Sequence, residues 1–279
     1  MSDVTFTLRR QPETWLDLSA LTPDKLHGRT LKAIKAVRLR CGRRTESVGD
    51  LFAVSGDNPS ALRFTDACRQ FVRLGRGMTH GRIHVAGHAG HYLGQDMLGG
   101  QITVRGSAGN WLGAGMTGGR IDISGDAGDF MGAAPTGAMH GMSGGSIIVY
   151  GNAGKRAGDR MRRGTILVLG NAGDFTGSRM IAGTLFVMGK ARAGVGCGMR
   201  RGTIVLGRMP AHMLITFSDC GKLKMEFLRL LFKKTAQAAK RLDFFRDFGP
   251  EARRFAGDLS SGGQGEILVL LNAPRRRSA

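Results

Sequence analysis

Met142–Gly154 reads MSGGSIIVYGNAG and Met161–Gly173 reads MRRGTILVLGNAG, and the two stretches share a Met, a glycine three residues on, an apolar pair and a closing glycine. The Met recurs at 78, 97, 116, 142, 161, 180 and 199, with five of the six intervals 19 residues long and the third 26. Each is followed by Gly81, Gly100, Gly119, Gly145, Gly164, Gly183 or Gly202, and then by Ile83/Val85, Ile102/Val104, Ile121/Ile123, Ile147/Val149, Ile166/Val168, Leu185/Val187 or Ile204/Leu206. Two apolar residues separated by one other follow the strand period, so each segment predicts a strand with one buried face. Further glycines keep a fixed phase, for example Gly87, Gly106 and Gly125 after the strand and Gly94, Gly113 and Gly132 later. Only glycine enters positive φ without a Cβ penalty, so these positions predict bends at the same angle in every repeat.

A period near 20 fits a leucine-rich repeat or a β-helix, and the leucine-rich pattern with its asparagine ladder is missing. The expected fold is therefore all-β: a single-stranded, right-handed β-helix with coils of about 19 residues. Stacking at about 4.8 Å gives a continuous Ile/Val core, with the Met column filling space inside it. The longer third interval places seven extra residues within Ala133–Gly141, an expected surface loop that could serve docking.

The flanks differ. A short α/β region is expected over 1–61, with a strand at Val4–Leu8, a helical turn at Pro23–Leu26, a helix at Leu31–Val37 and a strand at Val48–Gly56. The repeat domain is expected over 62–208, its first coil degenerate, with Phe64 and Gly75 lying 19 residues before Ile83 and Gly94. Residues 209–279 are expected to hold an amphipathic helix over Lys222–Leu242 that caps the open end, a return strand at Ile267–Leu270 and a disordered basic tail from Pro274.

The chain has 279 residues, 45 of them glycine, and a formal charge of +20, which points to an anionic partner without naming it. No segment reaches the roughly 18 apolar residues needed to cross a bilayer, and Met1–Gln11 lacks a signal-peptide core, so a cytoplasmic protein is expected. Cys41, Cys68, Cys197 and Cys220 form no CxxC pair and read as buried free thiols. His80, His84, His88 and His91 fall on a strand and its bends rather than on one helix face, so surface histidines are favoured over a metal site. Asp126 and Asp129 read as solvated turn residues. Gly75-Arg-Gly77 and Gly194-Val-Gly196-Cys-Gly198 mimic nucleotide loops but lack the strand-to-helix context. Nucleic-acid binding is disfavoured, because no recognition helix or basic aromatic face accompanies the charge.

The two repeats quoted above and Asp258–Val269 (DLSSGGQGEILV) resemble the C subunit of formylmethanofuran dehydrogenase and that of its bacterial counterpart, the formyltransferase/hydrolase complex. The likeness runs from about Leu21 to Leu270. The coils alone are shared with the glycine-repeat domain of glutamate synthase, whereas Leu21–Leu26 (LTPDKL) and Val48–Gly56 (VGDLFAVSG) are similar to the C subunits. The resemblance implies a non-catalytic structural subunit, with no catalytic or metal-ligating residue and no tightly bound cofactor on this chain. It also implies hydrolase, formyltransferase and pterin-subunit-like partners, and formyl groups passing between tetrahydromethanopterin and methanofuran or methylofuran with release of formate. The formylmethanofuran dehydrogenase version of the C subunit and a glutamate synthase-type repeat domain are the alternatives.

Charge placement singles out one set of residues. Met78–Gly141 carries three Lys+Arg against four acids, whereas Met142–Arg208 carries eleven against two. Arg162-Arg163 and Arg200-Arg201 occupy equivalent positions two coils apart, about 10 Å from each other on a straight stack. Lys155, Arg156, Arg160, Arg179 and Arg192 fall on connecting bends. Arginine offers carboxylates a planar donor fork, so these nine residues are candidate contacts for acidic patches of partner subunits or for the glutamate-rich tail that the resemblance implies for the carrier.

Overall fold

The structure is a computed structural model that describes residues 2–271, so the tail from Pro274 lies outside the described residues. It is an all-β fold with little helix. In the first quarter, β1 (Asp3–Leu8), β2 (Leu16–Asp17), α1 (Pro23–Leu26), α2 (Leu31–Lys35), β3 (Arg38–Cys41), β4 (Arg44–Ser47), α3 (Val48–Leu51), β5 (Phe52–Ser55), β6 (Asn58–Ala67) and β7 (Phe71–Val72) follow in order. The repeats supply β8 (Arg82–Gly87), β9 (Gln101–Val104), β10 (Arg120–Ile123), β11 (Ser143–Val149), β12 (Arg163–Val168), β13 (Thr184–Val187) and β14 (Arg201–Leu206). After them come β15 (Ser218–Lys224), α4 (Phe227–Ala238), a 3-10 segment at Lys240–Asp247, β16 (Glu251–Gly257), a 3-10 turn at Leu259–Ser261 and β17 (Gln264–Leu270).

One 13-stranded sheet runs β15-β16-β17-β14-β13-β12-β11-β10-β9-β8-β6-β1-β5, and β4-β3-β2-β7 form a second, smaller sheet. From β6 to β14 neighbouring strands of the large sheet are parallel and follow one another along the chain. Apolar residues pair in register: Ile102 with Ile121, Ile121 with Ile147, Ile147 with Ile166 and Ile166 with Leu185. A separate line of parallel bridges joins Ala89, Ala108, Ala127, Ala153, Ala172 and Ala191. The apolar pairs of β8 to β14 are all buried, and the seven repeat methionines are fully buried. A Met tip packs under the next repeat's glycine: a Cβ on Gly100 would lie 2.5 Å from Met78 Cε and 2.8 Å from the Gly81 carbonyl, at a φ of +80°. Strand period and glycine phase therefore place the core on one continuous inner column.

Several expectations need correction. Phe64 pairs with Val85 and Leu62 with Ile83, not Phe64 with Ile83, because a register irregularity between Phe64 and Ala67 adds length to the first bend. Val48–Gly56 is not one strand. Ser47 caps a helical turn there, since its hydroxyl accepts the Asp50 N–H at 3.2 Å while the Asp50 carboxylate accepts the Ser47 N–H, and the strand begins only at Phe52. The C-terminal helix is shorter than Lys222–Leu242, as Ser218–Lys224 pair with β16. It does not cap an open end either. Leu228, Phe232 and Ala236 of α4, with Leu242 and Phe245, pack on Ile148, Leu167, Phe186 and Val205, which point outward from β11–β14. Phe186 and Phe245 meet edge to face with centroids 5.9 Å apart.

The ends are closed by other means. At the N-terminal end, Phe6, Phe52, Phe64 and Phe71 pack together, with Phe6 stacked on Phe64 at 4.8 Å. At the other end, Phe217 is buried and Met213 and Leu214 turn partly onto the core. The Ala133–Gly141 loop begins buried at Ala133 and Ala134 and then emerges, leaving Met139 73% exposed.

Candidate functional site

The bends are knitted by side chains that accept backbone N–H groups of the following repeat. His88 Nδ1 accepts Ser107 N–H at 3.1 Å, Ser107 Oγ accepts Asp126 N–H, Asp126 accepts Asn152 N–H, Asn152 accepts Asn171 N–H and Asn171 accepts Lys190 N–H. A second line runs from His91 through Asn110 and Asp129 to the Lys155 N–H. No pure asparagine ladder is visible in the sequence, yet one exists in mixed form, because several residue types can accept an N–H at the same phase.

These ladders account for four candidates. His88, His91, Asp126 and Asp129 hold backbone rather than substrate, and Asp126 and Asp129 are acceptors and not merely solvated turn residues. His80 lies 2.8 Å from Asp24, and His84 faces outward from β8 with its Nε2 buried and without a hydrogen-bond partner among the described residues. Desolvation, with Arg63 and Arg105 nearby, pushes the His84 pKa down. Among the described residues no group of three His, Cys, Asp or Glu side chains gathers as a metal site. The cysteines are free but less buried than expected: Cys41, Cys68 and Cys197 are half-buried and Cys220 is exposed.

The arginines divide. Arg162, Arg163, Arg200 and Arg201 line one cavity of about 760 Å³, floored by Ile181 and Ala182 of the intervening repeat and closed by Ser260, Ser261, Gly262 and Gln264. Position sets this arrangement. Residues 162, 181 and 200 are equivalent, as are 163, 182 and 201, so two arginine pairs flank a short apolar step about 10 Å wide. Arg201 Nε donates to Gln264 Oε1 at 2.6 Å. The side chains of Arg162, Arg163 and Arg200 have no hydrogen-bond or ion-pair partner among the described residues, which leaves their donors available to a ligand.

The other five candidates do not line this cavity. Arg179 forks onto the buried Asp159 at 3.0 and 2.7 Å, Arg156 lies 5.1 Å over the Phe175 ring, and Arg192 is 3.5 Å from Asp174. Arg160 donates to the Ala138 carbonyl of the inserted loop at 3.3 Å. Lys155 is exposed on its bend.

Sequence reasoning missed the closing loop, Ser260–Gln264. Asp258 anchors it, accepting Ser260 Oγ at 2.6 Å and the Ser260 and Gly198 N–H groups at 2.9 Å. Burial pushes the Asp258 carboxyl upward, but these bonds outweigh it and hold its pKa below the ordinary range. A signal was available in QGEILVL (264–270), which repeats RGTIVLG (201–207). The two pair in register, Gly265 with Gly202 and Ile267 with Ile204, so β17 is a further repeat strand delayed by a long excursion.

The GXGXG motif family model matches residues 67–213, the same span as the repeated strands and bends. The chain belongs to the GXGXG family. Nearly the whole chain also matches one chain of a solved structure. That structure is the crystal structure of the formyltransferase/hydrolase complex (FhcABCD) from Methylorubrum extorquens with methylofuran; one of its chains superposes with a TM-score of 0.86 at 36% identity, over 96% of this chain and 100% of its own. The C subunit of the tungsten-containing formylmethanofuran dehydrogenase 2 of Methanothermobacter marburgensis is 36% identical over 98 residues, covering 33% of this chain and 36% of the relative. The Methanococcus maripaludis protein of the same name is 32% identical over 95 residues, covering 33% of this chain and 35% of the relative. The chain thus spans about a third of the length of these curated relatives. No helix of the described residues is long and apolar enough to cross a membrane.

Proposed function

We propose that this chain is the non-catalytic structural subunit of a cytoplasmic formyltransferase/hydrolase complex that moves formyl groups between tetrahydromethanopterin and methanofuran or methylofuran and releases formate. The observation that carries this reading is the superposition along 96% of the chain on a chain of a complex solved with methylofuran. The parallel ladder and the separate alanine line support a single-stranded, right-handed β-helix as its scaffold, with 1–61 as the N-terminal strand and helix region, 62–208 as the repeat domain and 209–279 as the region of C-terminal helix, return strand and basic tail. Hydrolase, formyltransferase and pterin-subunit-like proteins are its partners.

The site chemistry agrees with a supporting role. Arg162, Arg163, Arg200 and Arg201 offer planar donors, and the hydroxyls of Ser260 and Ser261 share their cavity with no His or Lys among its lining residues, which suits holding carboxylates rather than transforming them. Those carboxylates belong to partner subunits or to the carrier's glutamate-rich tail. The curated relatives favour one second reading, the C subunit of a formylmethanofuran dehydrogenase, in which the partners include a tungsten or molybdenum protein. Tagging the chain in its own host and weighing the assembly by native mass spectrometry tests both. Three larger subunits without tungsten or molybdenum are expected; either metal in stoichiometric amount favours the dehydrogenase, and a chain recovered alone contradicts both readings.

A further inference from the structure

The two ends of the long sheet are finished differently. At the N-terminal end Phe6, Phe52, Phe64 and Phe71 are buried in one cluster with Leu16, Leu18, Leu21 and Leu26 of the first 50 residues. At the C-terminal end the plug is a single loop, in which Leu214 and Phe217 turn inward while Ile215 between them is 99% exposed. Leu259 is 59% exposed and Met209 48%. Leu259 lies beside the plug loop, because its N–H donates to the Thr216 carbonyl at 2.9 Å. Ser260 and Ser261, next along the chain, line the arginine cavity.

We propose that this end face, running from Ile215 through Leu259 to Arg200, Arg201, Arg162 and Arg163, docks an acidic polypeptide segment of a partner subunit. The proposal rests on reading the chain as a member of a complex and adds where the contact lies and what it selects. Charge complementarity chooses the occupant. Three of the four guanidinium groups lack an acceptor among the described residues, and the chain carries +20, so an anionic partner is required. A second copy meeting this face through a two-fold axis sets the same arginines against each other, which opposes self-association. A small polyanion satisfies the arginines but leaves Ile215 and Leu259 in water. An extended segment with carboxylates about three residues apart spans the roughly 10 Å between the arginine pairs, and an apolar neighbour covers Ile215.

The test uses the full chain, tagged in its own host, with Ile215→Asp/Leu259→Asp and Arg200→Glu/Arg201→Glu variants and Leu230→Asp on α4 as a control, since Leu230 is 72% exposed. Thermal unfolding confirms that each exposed change leaves the fold intact. Partner retention should fall about tenfold or more in both docking variants and stay at the wild-type level in the control, with the arginine variant the more sensitive to salt. Hydrogen exchange of wild type should slow at 259–263 on assembly. The proposal is overturned if both variants keep their partners as wild type does, or if the arginine variant loses only binding of a free polyglutamate peptide. If wild type itself carries no partner, the subunit reading fails, and the docking assignment with it.

Discussion

The two halves of the long sheet share one inner column but differ on their outer face. In β6, β8, β9 and β10 the outward central residues are Arg63, His84, Thr103 and Asp122; in β11, β12, β13, β14 and β17 they are Ile148, Leu167, Phe186, Val205 and Leu268. The second set is buried in one cluster with α4 and the 3-10 segment that follows it, whereas the first set lies outside that cluster. Repeat period thus fixes what faces in, and the residue between the two inward positions records what covers the strand from outside. Arg120 marks the seam, forking onto Asp122 with both contacts at 2.7 Å and donating to the Ala238 carbonyl at the end of α4.

Truncation at equivalent outward positions should expose the difference most clearly. Phe186→Ala leaves a hole beneath Phe245 and is expected to cost about 3–5 kcal/mol in denaturant unfolding. A cost below about 1 kcal/mol would mean that the helical cover contributes little. At the seam, Arg120→Ala leaves the buried Asp122 carboxylate with the longer 3.3 Å Gln101 amide contact and frees the end of α4, so a loss of about 1–3 kcal/mol is expected, with faster amide exchange near Ala238.

Beyond β14, Asp258 gives a pH-dependent test. Its folded pKa lies below the ordinary carboxylate value, so the stability it contributes is present above the unfolded pKa and is lost as pH falls through the folded one, below about pH 4. Protection of the Leu259–Gly263 amides, taken relative to the intrinsic exchange rate at each pH, should therefore fall in acid in wild type, while Asp258→Asn should be poorly protected already at neutral pH; equal protection in both proteins would deny Asp258 its anchoring role. The smallest effect is expected at Thr103→Ala on the uncovered half, within about 0.5 kcal/mol of wild type. A larger loss there would show that the polar half is also held by a cover.

The same contrast explains what could be read in advance. Met, glycine and paired apolar residues recur in phase, so strands, bends and inner column were legible from the chain. The helical cover was legible too, in the change from Thr103 and Asp122 to Ile148 and Phe186, but only to a reading that follows the residue between the inward pair. The arginine pairs were visible because 162 and 163 sit in phase with 200 and 201. Their closing loop was not, because the long excursion between β14 and β17 hides the phase that Gly202 and Gly265 share. The ion pairs of Arg179 and Arg192 depend on which bends meet across repeats, which spacing alone does not assign.

The supporting role proposed for this chain can be tested directly. Formyl transfer and formylmethanofuran hydrolysis should be assayed with the purified full chain alone and again in the assembled complex. The account predicts turnover only in the complex; turnover by the chain alone, in proportion to its concentration, would contradict it.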